Sequence, residues 1–181
     1  MSDIRTFEEF TPDIHASAWV DHNCTVIGDV AIGADSSIWP GTVIRGDINA
    51  IRIGERTNIQ DGSILHNSHD SEFMPGGSPL VIGDDVTVGH GVILHGCEIH
   101  DLCLIGMGAT VMDRSVVQRH VIVAAGSLVP GGKVLESGYL YAGSPAKQVR
   151  RLTEDQVRYF AYSAAHYVKL ARRHREGSLP V

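Results

Sequence analysis

The sequence is short of cationic charge: 15 Lys and Arg stand against 21 Asp and Glu, a formal net charge of −6. Nucleic acid and anionic membrane surfaces both need clustered Lys and Arg, so neither is expected as a partner. Long apolar runs are also missing, since none approaches the roughly 20 residues that span a bilayer. The N-terminal stretch carries Asp3, Arg5, Glu8 and Glu9 without an apolar core, so no secretory signal is expected. Cysteine is scarce. Cys24, Cys97 and Cys103 make an odd count without CxxC spacing. A disulfide framework is therefore not expected, and a cytoplasmic, reducing location fits. Cys97 and Cys103 read as buried apolar thiols rather than as a pair or a metal clamp.

What the chain does have is a period of six. With 181 residues and 43% apolar content it can pack one domain, with or without an appendage. Residues 1–13 show no period and read as an N-terminal arm. Ile14, Val20, Val26, Ile32, Ile38 and Ile44 then stand six apart. Three extra residues, at 50–52, shift the frame, which resumes at Ile53, Ile59 and Leu65. The repeat is lost over 66–81, a stretch with Pro75, Gly76, Gly77 and Pro79 that reads as an excursion loop. It returns at Ile82, Val88 and Leu94 and, after one shorter step, at Ile99, Ile105, Val111, Val117, Val123 and Val129, ending near Leu135. Neither a helix nor a simple strand has this period. Hexads are the signature of a parallel β-helix in which three short sides close one coil, so residues 14–136 are expected to form such an all-β solenoid.

Residues 137–181 read as a connecting segment followed by a helix. Thr153 and Gln156 make a capping box. Val157, Phe160, Ala161, Ala164, Val168 and Ala171 follow at helical spacing as one apolar stripe, and Arg172, Arg173, His174 and Arg175 suit the helix C-terminus. The helix is expected to lie back along the prism.

The repeat also places the histidines. Cycling through the hexads puts Ile44, Leu65 and Leu94 on one side of successive coils. The residues after them, Arg45, His66 and His95, should then stack about 4.8 Å apart, and His66 and His95 can share a metal ion. His90 cannot join them within one chain: five extended residues span about 16 Å, whereas a ligand nitrogen must lie about 2.1 Å from zinc. His90 has Asp61 as its own neighbour one coil before. Prisms packed about a threefold axis would bring His90 of one chain to the His66/His95 pair of the next, and would set Arg45 opposite Asp61. Three His without a fourth protein ligand is the catalytic rather than the structural zinc pattern. Cobalt and ferrous iron accept imidazole equally. The plainer reading is that these histidines line a polar trimer interface. Arg45 and Asp47 read first as interface ion-pair residues. Gln60 either orients a bound water or hydrogen-bonds a turn. His15, His22, His100, His120 and His174 read as solvated turn residues.

These residues resemble the γ-class carbonic anhydrases and their relatives among hexapeptide-repeat proteins. The resemblance runs from about Ile14 to the C-terminus. It is carried by Arg45, Gly46 and Asp47; by Asn58, Ile59, Gln60, Asp61 and Gly62; by His66; by Gly89, His90, Leu94, His95, Gly96 and Cys97; and by Gly143, Ser144, Pro145, Ala146 and Lys147. It implies a left-handed parallel β-helix, an exception to the right-handed crossover rule. It further implies a homotrimer with zinc or iron held by His66 and His95 of one chain and His90 of the next. Arg45 and Asp61 look like the family's interface pair, Gln60 like its residue beside the metal water, and Tyr167 like a tyrosine near the metal. Ile48 and His69 stand where the best-known active member carries glutamates, and His69 is the candidate proton shuttle, its ordinary pKa suiting neutral pH. The expected activity is hydration of carbon dioxide to bicarbonate. The alternatives are an acyl-CoA acyltransferase or thioesterase, and a non-catalytic trimer that binds metal or siderophore.

Overall fold

The computed structural model describes residues 3–177; the first two residues of the expected arm and the last four of the C-terminal segment lie outside the described residues. The chain winds into a left-handed parallel β-helix of about eight coils, with one helix at its C-terminal end. The first side stacks the start of Thr25–Ile32, the start of Val43–Ile53, Ile64–His66, Ile93–His95, Thr110–Val111 and Leu128–Val129. The second stacks Asp13–Ile14, the ends of those two long strands, Leu80–Ile82, Glu98–Ile99, Val116–Val117 and Val134–Leu135. The third runs from Trp19–Val20 through Ser37–Ile38, Asn58–Ile59, Thr87–Val88, Leu104–Ile105 and Ile122–Val123 to Tyr139–Gly143.

The hexad aliphatics explain this architecture. From Val26 and Ile38 through Leu94 and Val123 to Leu135 they point into the prism and are buried. Where a glycine follows the aliphatic, as in Ile105-Gly106, it has its own cause. A Cβ on Gly106 would meet the backbone nitrogen of Ala125 at 2.4 Å, so the corner of one coil fits against the next only without a side chain. Other corners hold a non-glycine residue in the left-handed region, among them Asp35, Arg56, Asp85, Leu102, Arg114 and His120, with φ between +52° and +58°.

Several boundaries differ from the sequence reading. The extra residues do not sit at 50–52. Gly28 pairs with Gly46 and Val30 with Ile51, so the chain bulges between Gly46 and Ile51. Such a bulge re-aims the strand without breaking it, and Asp47 rides on it. Within the arm, Asp3–Arg5 pairs in parallel with the start of Thr25–Ile32. Residues 137–147 extend the third side instead of leaving it: Tyr139–Gly143 pairs with Ile122–Val123, and Ala146–Arg151 folds back on it antiparallel.

Thr153 and Gln156 cap the helix Glu154–Gly177 reciprocally, Thr153 N donating to Gln156 Oε1 at 3.1 Å and Gln156 N to Thr153 Oγ1 at 3.3 Å. The helix runs down the third side from the late coils to the first. Phe160 stacks on His120, Ser163 Oγ bonds Thr87 Oγ1 at 2.9 Å, and Arg175 donates to the carbonyls of Ser17 and Ala18. Phe160, Ser163, Ala164 and Ala171 are its buried residues; Ala161 faces outward, because the buried stripe passes through Ser163 instead. His120 and His174 are not solvated turn residues: both are half-buried, His120 under Phe160 and His174 against Trp19 and Trp39. The three cysteines are unpaired and buried. Burial pushes the Cys24 thiol up to about 11 and Cys103 to about 12, with Cys97 raised as well. Among the described residues no helix is long and apolar enough to cross a membrane.

Candidate metal centre

Register brings His66 and His95 together: the two strands pair Ile64 with Ile93, Leu65 with Leu94 and His66 with His95. Arg45 follows Ile44, which pairs with Leu65, so Arg45 is next on the stack. The two rings meet edge to face, with His66 Nδ1 and His95 Nε2 3.2 Å apart. Each ring gives its far nitrogen to a carboxylate. His66 Nε2 donates to Asp47 Oδ1 at 3.1 Å, and His95 Nδ1 donates to Asp113, whose two oxygens both lie 3.0 Å away.

These partners set the chemistry. Burial on its own would raise the Asp47 carboxyl, but hydrogen bonds from Arg45 at 2.7 Å and from His66 outweigh it and hold Asp47 below the usual carboxylate range. As a carboxylate it can only accept, so the His66 proton sits on Nε2. Burial, with the Arg45 charge adding to it against Asp47, lowers the His66 pKa and keeps the ring neutral at neutral pH. The two near nitrogens point at each other 3.2 Å apart, and with both rings neutral and protonated on their far nitrogens a cation would lie against two lone pairs. Two nitrogens on one tetrahedral zinc, each about 2.1 Å from it, stand about 3.4 Å apart. The donor set fits a metal ion.

His90 stands apart. It lies in the turn after Thr87–Val88, at the other end of the first side from His95, and its Nδ1 bonds Asp61 Oδ2 at 2.9 Å. Among the described residues, no three His, Cys, Asp or Glu side chains of one chain are placed to hold a metal together. Gln60 and Tyr167 belong to the His90 end. Gln60 is nearly fully buried, and its amide donates to Asn58 Oδ1 at 3.0 Å. The Tyr167 ring packs on Trp39; burial raises its pKa, Asp61 adds to the rise, and a hydrogen bond with Gln60 opposes it. Beside both opens a largely apolar cavity of about 400 Å³ between the helix and the third side, walled by Leu104, Met107, Ile122 and Leu140. His69 is exposed on the excursion loop. Arg45 bonds Asp47 within the chain while Asp61 bonds His90, so the two members of the expected intersubunit pair lie at different ends.

The sequence reading missed Asp113. Its one signal was spacing, since it follows His95 by 18 residues, three hexads. It also missed Ser68, whose hydroxyl donates to Asp113 Oδ1 at 2.7 Å from the loop.

A family model for bacterial transferase hexapeptide (six repeats) matches residues 11–46. The chain is 51% identical over 170 residues to the Escherichia coli K12 protein called YrdA, covering 93% of this chain and 92% of that one. It is 46% identical over 159 residues to a carbonic anhydrase of Geobacillus kaustophilus, covering 88% and 84%. With mitochondrial gamma carbonic anhydrase 1 of Arabidopsis thaliana it shares 44% over 163 residues, 90% of this chain and 59% of the plant protein. Among solved structures, a hexapeptide transferase family protein of Anaplasma phagocytophilum superposes with a TM-score of 0.87 at 41% identity, covering 94% and 97%.

Proposed function

Since the chain belongs to the γ-carbonic anhydrase-like family of hexapeptide-repeat proteins, we propose that it is a metal-dependent lyase interconverting carbon dioxide and bicarbonate at the interfaces of a homotrimer. One observation carries the reading: two imidazoles face each other at 3.2 Å, each with its far nitrogen bonded to a carboxylate. Relatives named carbonic anhydrase support it.

His66 and His95 of one chain and His90 of the next would hold the ion, zinc or alternatively ferrous iron or cobalt. When bound, such an ion supplies a Lewis acid that brings the pKa of a water to about 7. The chain's own residues do the rest. Asp47 and Asp113 fix the two rings. Asp61 holds His90 by Nδ1 and leaves its Nε2 for the neighbouring subunit. Gln60, braced by Asn58, offers an oriented carboxamide to the oxygen atoms of substrate or water. His69, exposed on its loop, accepts a proton at a ring nitrogen and passes it to buffer. Ile64 and Ile93 support the trimer: they pair in register on the first side yet are 48% and 41% exposed, an apolar strip that a second copy would cover.

A second reading, hydrolysis or transfer of an acyl thioester, is favoured by the apolar cavity of about 400 Å³ beside Gln60 and Tyr167, far roomier than a three-atom substrate needs. Metal analysis with a carbon dioxide hydration assay on anaerobically purified protein, run beside a thioesterase panel, separates the two. Stoichiometric metal with rapid hydration is the expected result. Thioester cleavage without hydration, whether the protein is loaded with zinc or with ferrous iron, overturns the first reading.

A further inference from the structure

Asp113 has the geometry of a residue that decides what His95 can bind. It sits in the turn after Thr110–Val111, on the coil following His95, with its side chain 18% exposed. Both its oxygens are 3.0 Å from His95 Nδ1, and Ser68 Oγ donates to Oδ1 at 2.7 Å. The close approach depends on Gly96, where a Cβ would meet Asp113 Oδ1 at 2.4 Å. The next residue ties the same turn to the far stem of the excursion loop: Arg114 N donates to Ser78 Oγ at 3.1 Å, and its guanidinium to Pro75 O at 2.6 Å.

A neutral imidazole has two tautomers, and here they have opposite consequences. With the proton on Nδ1, His95 presents an Nε2 lone pair toward His66. With the proton on Nε2, His95 would donate to His66 Nδ1 across the same 3.2 Å. The pair would then satisfy itself, and neither near nitrogen would be open to a cation. A carboxylate can only accept, so Asp113 selects the first state. We propose that Asp113, locked by Ser68 from the excursion loop, is the positioning residue that holds His95 in its Nδ1–H tautomer and so keeps the histidine pair open to a metal ion. The consequence for metal rests on the function proposed above; the tautomer does not.

The test uses the full chain, metal-free, with ¹⁵N-labelled histidine, and reads the two ring nitrogens of His95 by NMR near neutral pH. Wild type is expected to carry the proton on Nδ1, and Asp113→Ala to carry it on Nε2, bonded to His66. Cobalt(II) titration is expected to show affinity lower by about 10- to 100-fold in that variant, the usual effect of losing the partner behind a ligating His. A His95 that keeps its Nδ1 proton in folded Asp113→Ala overturns the proposal. Should that variant fail to fold, Ser68→Ala removes only the lock. It is then expected to raise the Nε2–H population and weaken cobalt binding about fivefold, the equivalent of one ordinary hydrogen bond. No change in either quantity overturns the proposal by that route. A wild-type chain that takes up no cobalt, while its tautomer still switches in Asp113→Ala, removes the metal-dependent function and leaves the positioning of His95 intact.

Discussion

His90 Nδ1 lies 2.9 Å from Asp61 Oδ2 on the preceding coil, at the end of the first side opposite His66 and His95. One chain therefore holds His90 and the His66/His95 pair at opposite ends of that side. The three-histidine centre proposed above would need a second copy, which closed packing about a threefold axis would supply.

Light scattering is expected to give the mass of a trimer. A monomer that still retains one metal per chain sinks the shared-site argument. Mixing variants provides an independent check: His90→Ala and His95→Ala chains should each bind metal poorly alone. Coexpressed, they form some interfaces where an intact His90 meets an intact His66/His95 pair, and metal content should rise above either parent. Verified mixed trimers without that recovery would mean that one chain supplies all the ligands.

Proton export is expected to limit turnover. His69 is exposed and mobile buffers reach the same solvent, so His69→Ala should lower the hydration rate in weak buffer and recover in concentrated imidazole. Positioned acid–base groups typically contribute about 10²- to 10⁴-fold, and the loss should fall at or below the lower figure for a group on an open loop. His95→Ala should stay inactive in every buffer, because no external base replaces a Lewis acid. A His69→Ala protein indistinguishable from wild type in weak buffer removes the shuttle role.

Acid should weaken the docking of the helix. Burial under Phe160, with Arg119 adding to it, holds the His120 pKa below its ordinary value of 6.5. The folded state resists a proton that the unfolded chain accepts, so the unfolded state binds more protons below the ordinary value and stability falls there. The contribution is complete above about 6.5 and is lost as pH falls through the lowered folded pKa. His66 is shifted in the same direction. His120→Asn keeps a residue suited to the left-handed turn at φ +58° but removes the titration. Thermal unfolding should therefore drop less for this variant than for wild type between about pH 7.5 and pH 5. Parallel curves for the two proteins would assign the acid sensitivity elsewhere.

The coil-to-coil contact should be unforgiving. Gly106→Ala puts a methyl group 2.4 Å from the Ala125 nitrogen and should destabilise by about 1–3 kcal/mol or more, because backbone must move. Leu94→Ala, at a fully buried hexad position, should cost about 2–5 kcal/mol. Urea titration measures both. A Gly106→Ala protein as stable as wild type would mean that the coils separate easily.

Much of this architecture was legible in one dimension because a solenoid repeats its environment. Each coil offers the same buried position, so Ile38, Ile59, Val88 and Ile105 answer the same demand, and counting in sixes locates their side and their neighbours. The His66–His95 and Asp61–His90 adjacencies follow from that count alone, as does the impossibility of His90 reaching the pair in its own chain. What breaks the period was not legible. The bulge between Gly46 and Ile51 puts Asp47 against His66, whereas the hexad frame had placed the extra residues at 50–52. Asp113 reaches His95 because Gly96 leaves room and because the excursion loop returns to set Ser68 behind it. The helix takes Ser163 inward and Ala161 outward because its long path down the third side, not the sum of its apolar residues, chooses its buried stripe. The six-residue pattern determined which histidines are neighbours; only the tertiary structure decided what stands behind them. A repeat dictates position along the stack, but hydrogen bonds across corners and loops depend on the local departures from it.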